Sequence, residues 1–325
     1  MQIDDYIDYV GGVRRYSGRT VELYRSILEE YDAFVEHSGR LTPTDIRNYE
    51  VHLLDDKKES ARTVGLHLSV LSGFCRYLMK RGELASNPVR LVRRPKVEKR
   101  LPSFYREDAM RSYFAATEHD ADAEGLEFLL SLPASDPVAV TLYERRLRRL
   151  IVSILYGCGI RRSELISLNI ASLDRSRRCL SVCGKGDKMR DVPVTGTLFD
   201  EILLYLSAAS HCLGGSAAGD TPLLRTVKGG RLYPVFVDRA VKKELGDADG
   251  FTGRKSPHVL RHTIASELLD SGADLNSIKE LLGHSSLAAT QVYTHNTIER
   301  LRTVYNNAHP RAKNGDHYGD QDQDS

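Results

Sequence analysis

The sequence predicts a mainly α-helical fold with one small β-hairpin, an α+β chain of two domains. Three observations carry this. Apolar residues recur at spacings of three and four through residues 1–88. A basic stretch punctuated by prolines then interrupts the helical pattern. Alternation with period two replaces it between Cys179 and Val194, after which helical spacing returns. A length of 325 residues suits two domains, and 41% hydrophobic residues can build a core in each.

Taken in order, Thr20 to Val35 places Val21, Tyr24, Leu28, Tyr31 and Val35 on one helical face. Thr42-Pro43-Thr44 is a turn that starts another helix, with Ile46, Tyr49 and Leu53 as its apolar stripe. A longer helix begins near Ser60 and buries Val64, Leu68, Leu71, Phe74 and Leu78, and Asn87-Pro88 ends it. This first domain, residues 1–88, is a small helical bundle. A basic linker follows over residues 89–103. Between Asn87 and Ser103, Pro88, Pro95 and Pro102 oppose helix, and six basic residues face the single acid Glu98. Such a stretch is either a solvated connection or a segment that lies along a phosphate backbone.

The second domain spans residues 104–312. It opens with helices, one centred on Tyr143 to Tyr156. Residues 117–136 are polar at both ends and read as a surface insertion. Cys179–Cys183 and Arg190–Val194 form the hairpin around a Gly-Lys-Gly-Asp turn. The Ser/Ala/Gly-rich region Ser207 to Gly219 reads as a loop. At Ser256-Pro257 an N-cap serine and a proline at the first helical position start a helix with the core stripe Leu260, Ile264, Leu268 and Leu269, closed by Gly272. Residues 313–325 are expected to be a disordered acidic tail, which masks basic character elsewhere in a net charge of only +2.

Composition excludes several classes. Five cysteines (Cys75, Cys158, Cys179, Cys183 and Cys212) form no CxxC pair and suit no disulfide framework or zinc site. The N-terminus lacks a signal-peptide pattern, and no stretch reaches the length of a membrane span. A soluble, cytoplasmic protein is expected.

The chemistry concentrates near the C-terminus. His258 and Arg261, three apart, share a face at a helix start, where free N–H groups favour an anion. His284 follows Leu281-Leu282-Gly283, and Tyr293 lies in QVYTH. Individually each has a bland reading: solvated surface, a capping histidine, a half-buried core tyrosine. Upstream, GCGIRRSEL places Arg161 after a glycine turn with Glu164 three residues on, positioned to orient the arginine or to cap the next helix. Lys185 sits at the hairpin tip, with Lys188 and Arg190 nearby as residues that touch phosphate or solvent.

Read as a set, these residues suit attack on a phosphodiester. Arginines hold non-bridging oxygens as forks, histidines donate or accept protons, and a tyrosine hydroxyl is a nucleophile. No P-loop or acidic metal cluster accompanies them.

The ordered motifs GIRRSEL, VCGKGDKMRDVPV, SPHVLRH and LLGHSSLAATQVYTH resemble the tyrosine recombinases (the phage integrase family), nearest the Xer branch of chromosome-dimer resolvases. The resemblance covers most of residues 1–312. It implies a SAM-like core-binding domain followed by a tyrosine-recombinase catalytic domain. It implies six catalytic residues: Arg161, Lys185, His258, Arg261, His284 and the nucleophile Tyr293, which forms a 3′-phosphotyrosyl link. Arg162 stands where many relatives carry an apolar residue, and motif register favours Arg161 as the inward one. Arg62, Arg93, Arg94, Lys96, Lys188 and Arg190 are the expected DNA contacts. The resemblance further implies duplex DNA carrying a recombination site as partner, a homo- or hetero-tetramer with a second recombinase on that DNA, no membrane, and no cofactor, neither metal nor ATP. Chromosome-dimer resolution is the expected role. Integration or inversion of a mobile element, and relaxation by a type IB topoisomerase, are the alternatives.

Overall fold

The computed structural model describes residues 2–96, 105–184, 187–214, 218–246 and 255–283. The chain divides into two compact units, Met1–Leu101 and Pro102–Ser325.

Unit one is helical: α1 (Ile3–Asp8), α2 (Gly18–Phe34), α3 (Pro43–Val51) and α4 (Ala61–Lys80). The helix starts follow local chemistry. Thr42 and Ser60 each accept a backbone N–H three residues on, from Asp45 and Thr63, both at 3.1 Å. The predicted stripes face inward: Leu28, Tyr31, Ile46, Tyr49, Leu53, Val64, Leu68, Leu71 and Phe74 are fully buried in one cluster. Tyr31 and Tyr49 meet edge to face at 5.1 Å. Asn87 accepts the N–H of Val89 at 3.1 Å and donates to the Ser72 hydroxyl at 2.9 Å, pinning the chain as it leaves α4. Val89 and Val92 are buried in the same cluster, so the chain after Pro88 contributes to this core.

In unit two, α5 (Glu107–Ala116), α6 (Ala123–Ser131), α7 (Pro137–Cys158), α8 (Arg162–Ser167), α9 (Gly196–Leu213), α10 (Pro234–Glu244), α11 (Pro257–Asp270) and α12 (Leu275–Leu282) enclose a second cluster. Three antiparallel strands, β1 (Leu173–Asp174), β2 (Cys179–Cys183) and β3 (Met189–Pro193), pair in the order β1-β2-β3, with Leu173 opposite Leu180 and Leu180 opposite Val192. The predicted hairpin is present, and β1 extends it.

Helix α7 is the axis of this unit and packs against α9, α10 and α11. Asp136 caps it through the Val138 N–H at 2.7 Å, and Gly159 ends it at φ 59°. Two of its buried arginines are matched by carboxylates. Arg149 pairs with Glu201 at 2.6 Å, and Arg148 with Glu144 at 2.7 Å and Glu244 at 2.9 Å. The Tyr156 hydroxyl donates to Glu267 at 2.7 Å, tying α7 to α11.

Three sequence expectations change here. Residues 117–136 are no mere surface insertion: Asp122 caps α6 through the Gly125 N–H at 2.7 Å, and Leu126 and Leu129 enter the core. The region from Ser207 is helical through Leu213, because Ala208 and Ala209 are buried and alanine is the strongest helix former. Leu269 is 45% exposed and leaves the α11 stripe, which runs through Leu260, Ile264 and Leu268.

Candidate active site

Arg161 stands at the start of α8. Glu164, in the first turn, reaches back to the Arg161 backbone N–H at 2.8 Å and pairs with its guanidinium at 2.7 Å. Both sequence readings of Glu164, cap and orienter, are therefore met by one carboxylate. The other arm of Arg161 donates to the Gly283 carbonyl at 2.7 Å. Arg162 turns elsewhere and pairs with Asp238 on α10.

Arg261 projects from the second turn of α11 and is only 7% exposed. It donates to the Gly159 carbonyl at 2.6 Å and to the Leu282 carbonyl. Burial, together with Arg161 and Arg190 nearby, brings the Arg261 guanidinium down to about 10, still charged at neutral pH. His258, one turn earlier, is exposed. Partial burial first, then Arg162, His262 and Arg261, hold its imidazole below the usual histidine range against the pull of Asp238. Ser256 has the extended backbone of a cap, yet its side chain makes no capping bond, so Pro257 carries that helix start.

Arg190 corrects a sequence expectation. It was expected to reach phosphate or solvent but is 6% exposed and faces inward from β3. Its Nη atoms donate to both Glu164 oxygens at 3.0 and 2.8 Å, and its Nε to the Leu281 carbonyl at 3.2 Å. The strand pattern held the signal: Arg190 is in phase with the buried Val192 and Val194. Burial alone would raise the Glu164 carboxyl. Hydrogen bonds from Arg190 and from the Arg161 backbone outweigh it and hold the group down to about 2.

Leu281, Leu282 and Gly283 thus give their carbonyls to three different arginines, 190, 261 and 161. These are the orphan acceptors of the α12 C-terminus, where cations are favoured. Glycine is required at two joints of this contact. A Cβ on Gly159 would lie 2.6 Å from Leu282 Cδ2, and one on Gly283 3.0 Å from Arg190 Cζ, and both residues have positive φ.

The structure therefore brings Arg161 and Arg261 together, with His258 on the first turn of α11. Lys185, His284 and Tyr293 lie outside the described residues. Of the expected DNA contacts, Arg62, Arg93, Arg94, Lys96 and Lys188 are exposed. Arg94 also donates to Ser69 of α4 at 3.1 Å.

Comparison with known proteins agrees with this architecture. Residues 140–300 match the phage integrase family, and residues 3–82 match the phage integrase N-terminal SAM-like domain. The chain is 33% identical to tyrosine recombinase XerC of Chlorobaculum parvum over 95% of this chain and 94% of that protein. It is 35% identical to tyrosine recombinase XerC of a Mycobacterium species (strain JLS), over 95% and 99%. Two solved structures share the fold. One is the XerH site-specific recombinase bound to a palindromic difH substrate (TM-score 0.63, 17% identity, 96% of this chain and 82% of that one). The other is the Tn1549 transposon integrase with circular intermediate DNA (TM-score 0.63, 16% identity, 92% and 98%). The chain belongs to the phage integrase family, the tyrosine recombinases. Its activity is that of the class, site-specific DNA strand transfer that uses neither metal nor ATP. No helix among the described residues is long and apolar enough to cross a membrane.

Proposed function

We propose that Arg161, Lys185, His258, Arg261, His284 and Tyr293 form the catalytic set, and that the chain resolves chromosome dimers in the cytoplasm as a Xer-type recombinase. The observation that carries the site is the convergence of Arg161 and Arg261, a hundred residues apart in sequence, on consecutive carbonyls directly before His284. On this reading the two guanidiniums grip the non-bridging oxygens of the scissile phosphate, where fixed cations stabilise developing charge better than mobile water. His284 adds a hydrogen bond. Tyr293 attacks phosphorus, the 5′-oxygen leaves with a proton from Lys185, and a 3′-phosphotyrosyl link keeps the bond energy for rejoining. His258 accepts the tyrosine proton. Its lowered pKa leaves it neutral at pH 7, the form that can do so.

The DNA is contacted through its phosphates by Arg62, Arg93, Arg94 and Lys96 of unit one and by Lys188 of the catalytic unit. Their exposure supports this. Strand exchange between two duplexes takes four active sites, hence a homo- or hetero-tetramer on DNA. The curated XerC relatives, similar over nearly their whole length, favour the chromosomal role over a mobile element.

The test is covalent trapping on fragmented genomic DNA. Wild-type protein is expected to become linked to DNA through Tyr293, and Tyr293→Phe to give no adduct. An adduct with Tyr293→Phe would overturn the nucleophile assignment. Trapped fragments clustered near the replication terminus are expected, and clustering at a mobile element would replace the chromosomal role.

A further inference from the structure

We infer that Arg190 is a positioning residue for strand cleavage, acting on the phosphate-binding Arg161 through Glu164; this rests on the site proposed above. Arg190 does not face substrate. Its Nε and both Nη atoms are committed within the protein, to Leu281 and to the two oxygens of Glu164. Glu164 is 3% exposed, and Arg190 is the partner that meets both its oxygens with a side-chain fork. The same two oxygens hold Arg161, one by its guanidinium and one by its backbone N–H.

The direction of Arg161 is therefore set by where Glu164 sits, and Glu164 is set by β3. Without Arg190, the buried carboxylate keeps Arg161 as its hydrogen-bonded cation among the described residues and pulls that guanidinium into a closer pair at the expense of the Gly283 contact. The Leu281 bond adds a second anchor. It fixes the end of α12 against β3, so that the Gly283 carbonyl stays where Arg161 can reach it. A lysine could keep the charge at position 190 but could not span both Glu164 oxygens and the Leu281 carbonyl.

The probe is a nicked duplex built on the sequence that wild-type protein traps, in which loss of the short fragment beyond the nick makes cleavage a single turnover. DNA affinity and the single-turnover rate at saturating protein are measured separately. Arg190→Gln is expected to lower the rate roughly 10²-fold, the scale of an ångström-sized misplacement, with affinity unchanged within about threefold. Arg190→Lys is expected to fall with it, since charge alone does not restore the fork. Glu164→Gln with Arg190→Gln is expected to be no slower than Glu164→Gln alone, because both act along one path.

A fully active Arg190→Gln, an Arg190→Lys indistinguishable from wild type, or rate losses that multiply in the double variant would each overturn the inference. If Arg190→Gln does not fold, the Lys variant carries the comparison, with thermal melting recorded in parallel to separate lost structure from lost rate. Absence of an adduct with wild-type protein would bring down the proposed site and this inference with it. A wild-type adduct with unaffected Arg190 variants would bring down the inference alone.

Discussion

Glu164 shows how one side chain can hold several demands at once. It caps α8, pairs with Arg161 and neutralises Arg190, and its carboxyl sits at about 2 against an ordinary 4.5. A depressed carboxyl stabilises the fold above the unfolded value, and that contribution fades as pH falls from 4.5 toward 2. The shift corresponds to about 3 kcal/mol. Glu164→Gln removes the charge but leaves Arg190 buried, so at pH 7 a loss on the order of 3–5 kcal/mol is expected. Denaturant unfolding of both proteins across pH should show this gap narrowing below pH 4.5. A gap independent of pH would mean that the carboxylate is not held by its arginines.

At the scale of elements, the joint between α7, α11 and α12 is closed by a glycine. Gly159 adopts φ 59°, and an added Cβ would meet Leu282 at 2.6 Å and Ile264 at 3.2 Å. Left-handed backbone costs alanine about 1–2 kcal/mol, and overpacking about 1–3 more. Gly159→Ala is expected to lose about 2–5 kcal/mol in chemical denaturation. It should also slow DNA cleavage, since the Gly159 carbonyl holds Arg261. Unchanged stability would show that Leu282 rotates aside without strain.

The same scale shows what sequence patterns reveal. The stripes of α2, α3 and α4 and the hairpin were legible because burial imposes a period on apolar residues. The helix through Leu213 was hidden by composition: serine and glycine suggest a loop, while the buried Ala208 and Ala209 decide for helix. Arg190 was hidden by its charge, although its strand phase pointed inward. The carbonyl acceptors on Leu281, Leu282 and Gly283 could not be read at all, because backbone groups leave no trace in residue identity.

For the whole molecule, each unit holds its own buried cluster. Tyr31, Tyr49, Leu68 and Phe74 are fully buried in a cluster whose members all belong to unit one. A fragment of residues 1–101 is therefore expected to fold cooperatively, with helical circular dichroism and a single melting transition. A gradual, non-cooperative melt would show that this core needs the rest of the chain.

The meeting of three arginines over one carboxylate has an electrostatic consequence. Among the described residues at this cluster, Arg161, Arg190 and Arg261 stand against Glu164 alone, leaving a surplus of two positive charges that the negative end of α12 only partly offsets. A phosphodiester brings one negative charge in its ground state and two as the fifth oxygen closes on phosphorus. Within this cluster the surplus repels itself, and a ground-state phosphodiester offsets only part of it. On the proposed mechanism, the second negative charge that develops during strand transfer offsets more of it, so the repulsion built into the folded protein becomes part of the force that speeds the reaction.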